Sequence, residues 1–196
     1  MIDNIAIIEK LLHFSSNDTF YHLQILKRKK EHPEIGRNSY VVKTYYISSL
    51  DYLNKKYPEI VELCKFHNAR AYINLNPRSF ETLAFQMLKK VTDQILNKDF
   101  KSVRKAYESV SGQFGTGENK SWIIDIDFSE TIDSVYIDSM TKYIESEMPE
   151  GEKIIAKIPT KNGIHLITRP FRLDSFSHTF SEVDVHKNNP TLLYIP

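Results

Sequence analysis

Asp125 and Asp127 stand two residues apart inside the apolar run Trp122-Ile123-Ile124-Asp125-Ile126-Asp127-Phe128. Side chains alternate across a strand, so both carboxylates leave the same face. Two anions side by side among Ile and Trp are costly unless a cation or hydrogen-bond donors offset them. A divalent ion of the Mg or Mn type is the economical partner, because hard cations take oxygen ligands. Such ions neutralise phosphates and promote phosphoryl or nucleotidyl transfer. Asp184, in Glu182-Val183-Asp184-Val185-His186, is a third carboxylate within an apolar run and completes the candidate metal set. His165 and Lys161 are expected to offer donors to a nucleotide's phosphates, with Gly163 leaving room for the ligand. Arg169, at the far end of the same strand, can add a bidentate contact.

Plainer readings stand beside these. Asp125 and Asp127 suit the solvent side of a half-exposed strand whose Ile124 and Ile126 face the core. His178, His186 and Lys187 have no metal-ligand spacing and read as surface residues. Arg70 and Arg78 flank the second strand of the first half, where a template or phosphate contact could sit, with helix-end solvation the plainer reading; Lys27-Arg28-Lys29-Lys30 reads as a solvated element end or a contact to backbone phosphate.

The elements that must position these groups follow from periodicity. Apolar residues at helical spacing mark 3–14, and Tyr40–Ile47 is β-branched and aromatic, hence a strand. Residues 19–30 fit either state. A helix over 50–66 carries Leu50, Leu53, Tyr57, Ile60, Val61 and Cys64 along one side, with Pro58 a candidate kink or break. Ala69–Asn74 reads as a strand. Asn76-Pro77 reads as a helix start, leading into an amphipathic stretch of Phe80, Leu83, Ala84, Met87, Leu88, Val91 and Ile95. Asp99 is the expected cap of a further helix stopped by Gly112. The loop 112–120 contains Gly115-Thr116-Gly117, a weak phosphate cradle and a better linker.

The second half reads strand 121–128, helix 131–147 with Ile132, Val135, Tyr136, Met140 and Ile144 inward, then strands 153–159 and 163–168. Thr160-Lys161-Asn162-Gly163 joins the last two, and Asn-Gly is a strong hairpin signal. Short strands at Val183–Val185 and Leu192–Ile195 close the chain. That βαββ, connector, β order is the order of a ferredoxin-like or RNA-recognition-type sheet. In such a sheet the first and third strands are central neighbours, which would set His165 beside the two carboxylates. The expectation is an α/β (α+β) protein: an amino-terminal α/β lobe over 1–112, a linker over 113–120, and an open RNA-recognition-like sheet lobe over 121–196.

Composition narrows the class. Positive and negative residues nearly cancel at a net charge of +1, unlike a protein that coats duplex nucleic acid. The single cysteine, Cys64, excludes an internal disulfide framework and a cysteine zinc site. No apolar stretch approaches the ~20 residues of a membrane span, and the first residues lack a secretory pattern. A soluble cytoplasmic protein with no membrane partner is expected.

Taken in order, Asp125-Ile126-Asp127 resembles the DxD first motif of the archaeo-eukaryotic primase superfamily, the primase-polymerases. Pro159-Thr160-Lys161-Asn162-Gly163-Ile164-His165-Leu166 is similar to its second motif, and Val183-Asp184-Val185 to its third. The likeness covers roughly 120–186. The family's second motif usually has Ser two positions before the histidine, where this chain has Gly163. The resemblance implies that Asp125, Asp127 and Asp184 hold Mg or Mn and that His165 binds nucleotide phosphates. It also implies template-directed nucleotidyl transfer in replication, by a minimal catalytic core or divergent relative. The partners would be nucleotides, a single-stranded template and a replication protein such as a helicase. The alternatives are a non-catalytic nucleic-acid or nucleotide-binding replication accessory, and a metal-dependent phosphodiesterase or nuclease.

Overall fold

Apolar and aromatic alternation over Thr19–Lys27 (β2) and Tyr40–Ile47 (β3) produces an antiparallel pair at the edge of the first sheet. The segment that fitted either state is thus a strand. The computed structural model describes residues 1–36, 38–113 and 120–196. β2 also pairs with Arg70–Ile73 (β4), which pairs with Thr191–Ile195 (β10), which pairs with Ile2–Asp3 (β1). The two-residue strand Arg78–Ser79 (β5) joins the other end of β2. One face of this sheet is covered by Leu50–His67 (α2), which buries Leu53, Ile60 and Cys64 against Leu23, Ile25 and Ile73. Pro58 lies inside α2, and the helix runs on through it. Ile5–Leu11 (α1) packs beside β10 and buries Ile8.

The second sheet has the order β7-β8-β6-β9, formed by Ile154–Pro159, Gly163–Thr168, Trp122–Asp127 and Asp184–His186. The first and third strands of this unit, β6 and β8, are central and adjacent, as expected. Ser134–Ser146 (α6) covers its outer face with Ile137, Met140 and Ile144, joined by Phe176 of the short Phe176–Thr179 (α7). Asp133 caps α6 by accepting from Tyr136 N at 2.9 Å. Val135 was expected to face inward but is exposed. The buried positions are three and seven residues apart from Ile137, and Val135 falls on the opposite side of the turn.

Three further expectations change. β10 does not extend the second sheet. Leu193 and Tyr194 bury into the first core, so the chain crosses back to pair with β4. Asn76 does not cap a helix. Ser79 caps Phe80–Leu96 (α3), its Oγ accepting from Thr82 N at 3.0 Å, while residues 78–79 are extended. α3 buries only Leu83, leaving Phe85, Leu88 and Leu96 in solvent. The next helix is split into Phe100–Val103 (α4), which Asp99 does not cap through its side chain, and Ala106–Gln113 (α5), which runs one residue past Gly112. Of the expected linker 113–120, residues 114–119, with Gly115-Thr116-Gly117, lie outside the described residues.

The two sheets share interior. Ile123 of β6, Ile158 of β7 and Ile167 of β8 join the core of the first sheet, so that core crosses the expected boundary, while the residues between the second sheet and α6 form a core of their own. Three buried asparagines tie the halves. Asn4 Nδ2 donates to the Pro159 and Leu192 carbonyls at 2.9 and 3.0 Å. Asn74 Nδ2 donates to the Asn188 carbonyl at 2.8 Å. Asn76 donates to the Ser121 and Lys187 carbonyls and accepts from Ser121 N at 2.7 Å. Among the described residues no helix is long and apolar enough to cross a membrane.

Candidate functional site

Alternation along β6 sends Ile124 and Ile126 towards α6, and Ile123, Asp125 and Asp127 to the other face. There a row forms across three strands. Asp125 is the register partner of His165 on β8 and of Asp184 on β9. The His165 Nε2 lies 3.4 Å from Asp125 Oδ1, longer than an ordinary hydrogen bond, and its Nδ1 lies 2.8 Å from the Thr191 hydroxyl. A neutral ring with its proton on Nε2 satisfies both contacts, because the threonine hydroxyl then donates to Nδ1. His165 holds the Asp125 carboxyl below the usual carboxylate value. Burial opposes the shift, and His186 and Arg28 reinforce it. Asp127 and Asp184 are exposed, and neither has an ion-pair partner among the described residues.

The opposite wall comes from the first sheet and the turn after β2. Arg28, Lys30, Glu31, Arg70 and Tyr72 face the row across a cleft of about 630 Å³. Arg70 is 6% exposed, and its guanidinium grips Glu31 with two hydrogen bonds, Nε to Oε2 at 2.9 Å and Nη2 to Oε1. Lys161, on the turn between β7 and β8, reaches the same carboxylate from the second sheet at 3.2 Å. Burial opposes ionisation of Glu31, yet Arg70 and Lys161 outweigh it and keep its carboxyl below the ordinary value.

The structure therefore brings Asp125, Asp127, Asp184, His165 and Lys161 to one cleft. It treats three others differently. Gly163 is not there to leave room for a ligand: a Cβ on it would lie 1.9 Å from the Ile126 carbonyl oxygen. Glycine is needed because the β6 backbone passes too close for any side chain. Arg169 follows the opposite end of β8 and lines a separate cleft with His13, Leu75 and Ile155. His186, expected at the surface, lines the carboxylate cleft. Its alternation with Asp184 was the signal that could have found it. Arg70 is likewise not a solvated helix end. Its pairing with Glu31 had no local signal, because it joins positions 39 residues apart. Thr191 is in the same position, since its contact to His165 depends on β10 crossing back.

As a metal site the donor set is chemically suitable but not closed. Oxygen ligands from Asp125 and Asp184 sit on paired positions of adjacent strands, where like charges repel unless a cation lies between them. Asp127 is two residues along, ~7 Å of strand away. Among the described residues, no three His, Cys, Asp or Glu side chains are grouped so as to hold an ion by themselves. No family model, curated protein or solved structure matches this chain.

Proposed function

We propose that this chain is a metal-dependent nucleotidyltransferase of the primase-polymerase kind, starting or extending a strand on a single-stranded template. One observation carries the reading: an acidic row and a cationic wall face each other across one cleft. Asp125, Asp127 and Asp184 lie on one side and Arg28, Lys30, Arg70 and Lys161 on or near the other. A nucleoside triphosphate needs both signs of charge, cations along its phosphates and carboxylates behind the metal its phosphates share.

In this reading Asp125, Asp127 and Asp184 would hold Mg or Mn, with phosphate oxygens completing the ligand set. Such an ion, when bound, supplies charge neutralisation at the transferring phosphorus. Arg28, Lys30 and Lys161 offset the phosphate charge. His165, tied to Thr191, fixes the orientation of Asp125 from the neighbouring strand. The test incubates the protein with labelled nucleotides, Mn or Mg, and a single-stranded template. Template-dependent products are expected from the intact protein and none from Asp125→Asn. No product, together with no nucleotide-dependent thermal shift, overturns the proposal.

A second reading, a nucleotide-binding replication accessory, is favoured by two observations. Both His165 nitrogens already have protein partners, and no three-ligand group is preformed. It predicts nucleotide binding that is independent of metal and survives Asp125→Asn.

A further inference from the structure

We propose that Arg70 and Lys161, with Arg28 and Lys30 beside them, form a seat for an oligophosphate tail, and that the Glu31 carboxylate occupies this seat in the free protein. The inference rests on the reading that the cleft takes a nucleotide, and it names the part of the ligand that the first sheet would bind.

Three observations support it. First, Arg70 is a buried cation whose two-pronged grip on Glu31 is the geometry guanidinium also makes with two phosphate oxygens. Second, Glu31 is held by cations from both sheets: Arg70 on β4, and Lys161 on the β7–β8 turn. A ligand replacing the carboxylate would keep that bridge. Third, the backbone beside Glu31 is anchored independently of its side chain. The buried His32 ring contacts the Asn68 carbonyl at 2.7 Å, and Glu31 N and His32 N both donate to the Arg28 carbonyl at 3.0 Å. The carboxylate can therefore swing away while Arg28 and Lys30, on the same turn, stay at the cleft.

An internal carboxylate in a phosphate seat acts as a competitor. A ligand must displace it, so its removal should tighten binding of a bare phosphate chain. Removing it also leaves Arg70 buried without a counter-charge, which destabilises the free protein. An added polyanion should then restore stability by mass action.

The probe is inorganic tripolyphosphate, without nucleoside or added divalent metal, read by calorimetry and by thermal shift. Glu31→Gln is expected to bind it at least tenfold more tightly than the intact protein. Its melting temperature should start lower and rise further at saturating tripolyphosphate. Equal or weaker binding by Glu31→Gln overturns the inference. Lys161→Gln, an exposed change that leaves the fold intact, is expected to weaken binding severalfold; unchanged affinity also overturns it. Asp125→Asn, which takes a negative charge off the facing wall, should bind tripolyphosphate at least as tightly as the intact protein does, and a severalfold loss there overturns the inference. Tight tripolyphosphate binding without strand synthesis retains this inference and rejects nucleotidyl transfer. Strand synthesis with a Glu31→Gln variant no tighter than the intact protein does the reverse.

Discussion

The Asp125 carboxylate stands 3.4 Å from the His165 imidazole, whose other nitrogen is tied to Thr191 in the opposite sheet. Asp125 is thus positioned by both halves of the molecule: by its own strand, and through His165 by β10. The arrangement puts one carboxylate of the acidic row under control and leaves Asp127 and Asp184 open to solvent.

That control has a pH signature. The folded Asp125 carboxyl lies below its ordinary value of 3.8, chiefly because of His165. An acid with a lowered folded pKa contributes stability above its unfolded pKa and loses it as pH falls through the folded value. Melting temperatures of the intact protein and Asp125→Asn, followed from pH 6 to pH 3, should therefore converge below about pH 4. A constant difference across that range contradicts the assigned role of His165.

Gly163 makes a sharper prediction. Alanine there would place its Cβ 1.9 Å from the Ile126 carbonyl oxygen and 2.9 Å from the Asp127 Cα, both backbone atoms that cannot rotate away. β6 and β8 must separate locally, at the pair that holds Asp127 opposite Gly163. Gly163→Ala should destabilise by about 3 kcal/mol or more, measured by urea unfolding. A loss under 1 kcal/mol would show that the close approach is not needed.

His22 tests the interior of the first sheet. It is buried on β2, and burial, with the positive charge of Arg78 nearby, pushes its pKa down to about 4. Arg78 is itself buried, its pKa lowered to about 10 by burial, and its Nε and Nη1 have no hydrogen-bond partner among the described residues. Between pH 6.5 and 4 the unfolded chain takes up the His22 proton first, so stability falls as pH falls through that window. The span corresponds to about 3 kcal/mol. His22→Gln should flatten the slope by that amount. An unchanged slope would mean that the imidazole is protonated in the folded protein.

Why some of this was readable from sequence and some was not has a physical basis. The β6–β8 neighbourhood was legible because period-two alternation, the Asn-Gly turn and the strand order are local signals that agree with one another. They sufficed to place His165 beside Asp125. The cationic wall was legible only in pieces: Lys161 and the Lys27–Lys30 run each suggested a phosphate contact, but not that they share a wall. Arg70 reads most simply as helix-end solvation, and its role comes from Glu31, in a turn of the same sheet, meeting Lys161 from the other. β10 was legible as a strand but not as a member of the first sheet, because either core could have accepted Leu192, Leu193 and Tyr194. The helical period of α3 was equally clear, yet most of its apolar stripe is exposed, since periodicity reports a face and not what covers it.

Asn76 illustrates the same limit and supplies a test. An Asn-Pro pair signals a helix start, but the side chain instead serves as a seam between the halves. It donates to the Ser121 and Lys187 carbonyls and accepts from Ser121 N. Asn76→Ala leaves that half-buried N–H and both carbonyls short of a partner. A loss of about 2 kcal/mol or more is expected in chemical denaturation. Asn76→Asp keeps the acceptor for Ser121 but loses both donor bonds, and should not recover the stability. Recovery by Asp would assign the effect to the acceptor alone.

Asp184 separates function from folding. Its carboxylate is exposed on a three-residue edge strand and makes no ion pair among the described residues, so the fold gains little from it. It sits opposite Asp125 in register, where its charge repels rather than stabilises. Asp184→Asn should therefore leave unfolding free energy unchanged or slightly raised, within about 0.5 kcal/mol. If the acidic row serves a divalent ion and a triphosphate, the same change should lower template-directed incorporation by about 100-fold or more, as losing a metal ligand does. Mn-dependent nucleotide affinity, read by thermal shift, should fall in parallel, whereas metal-free tripolyphosphate binding should not. A stable Asp184→Asn variant with full incorporation would remove Asp184 from the site and leave Asp125 and Asp127 as its only acidic members.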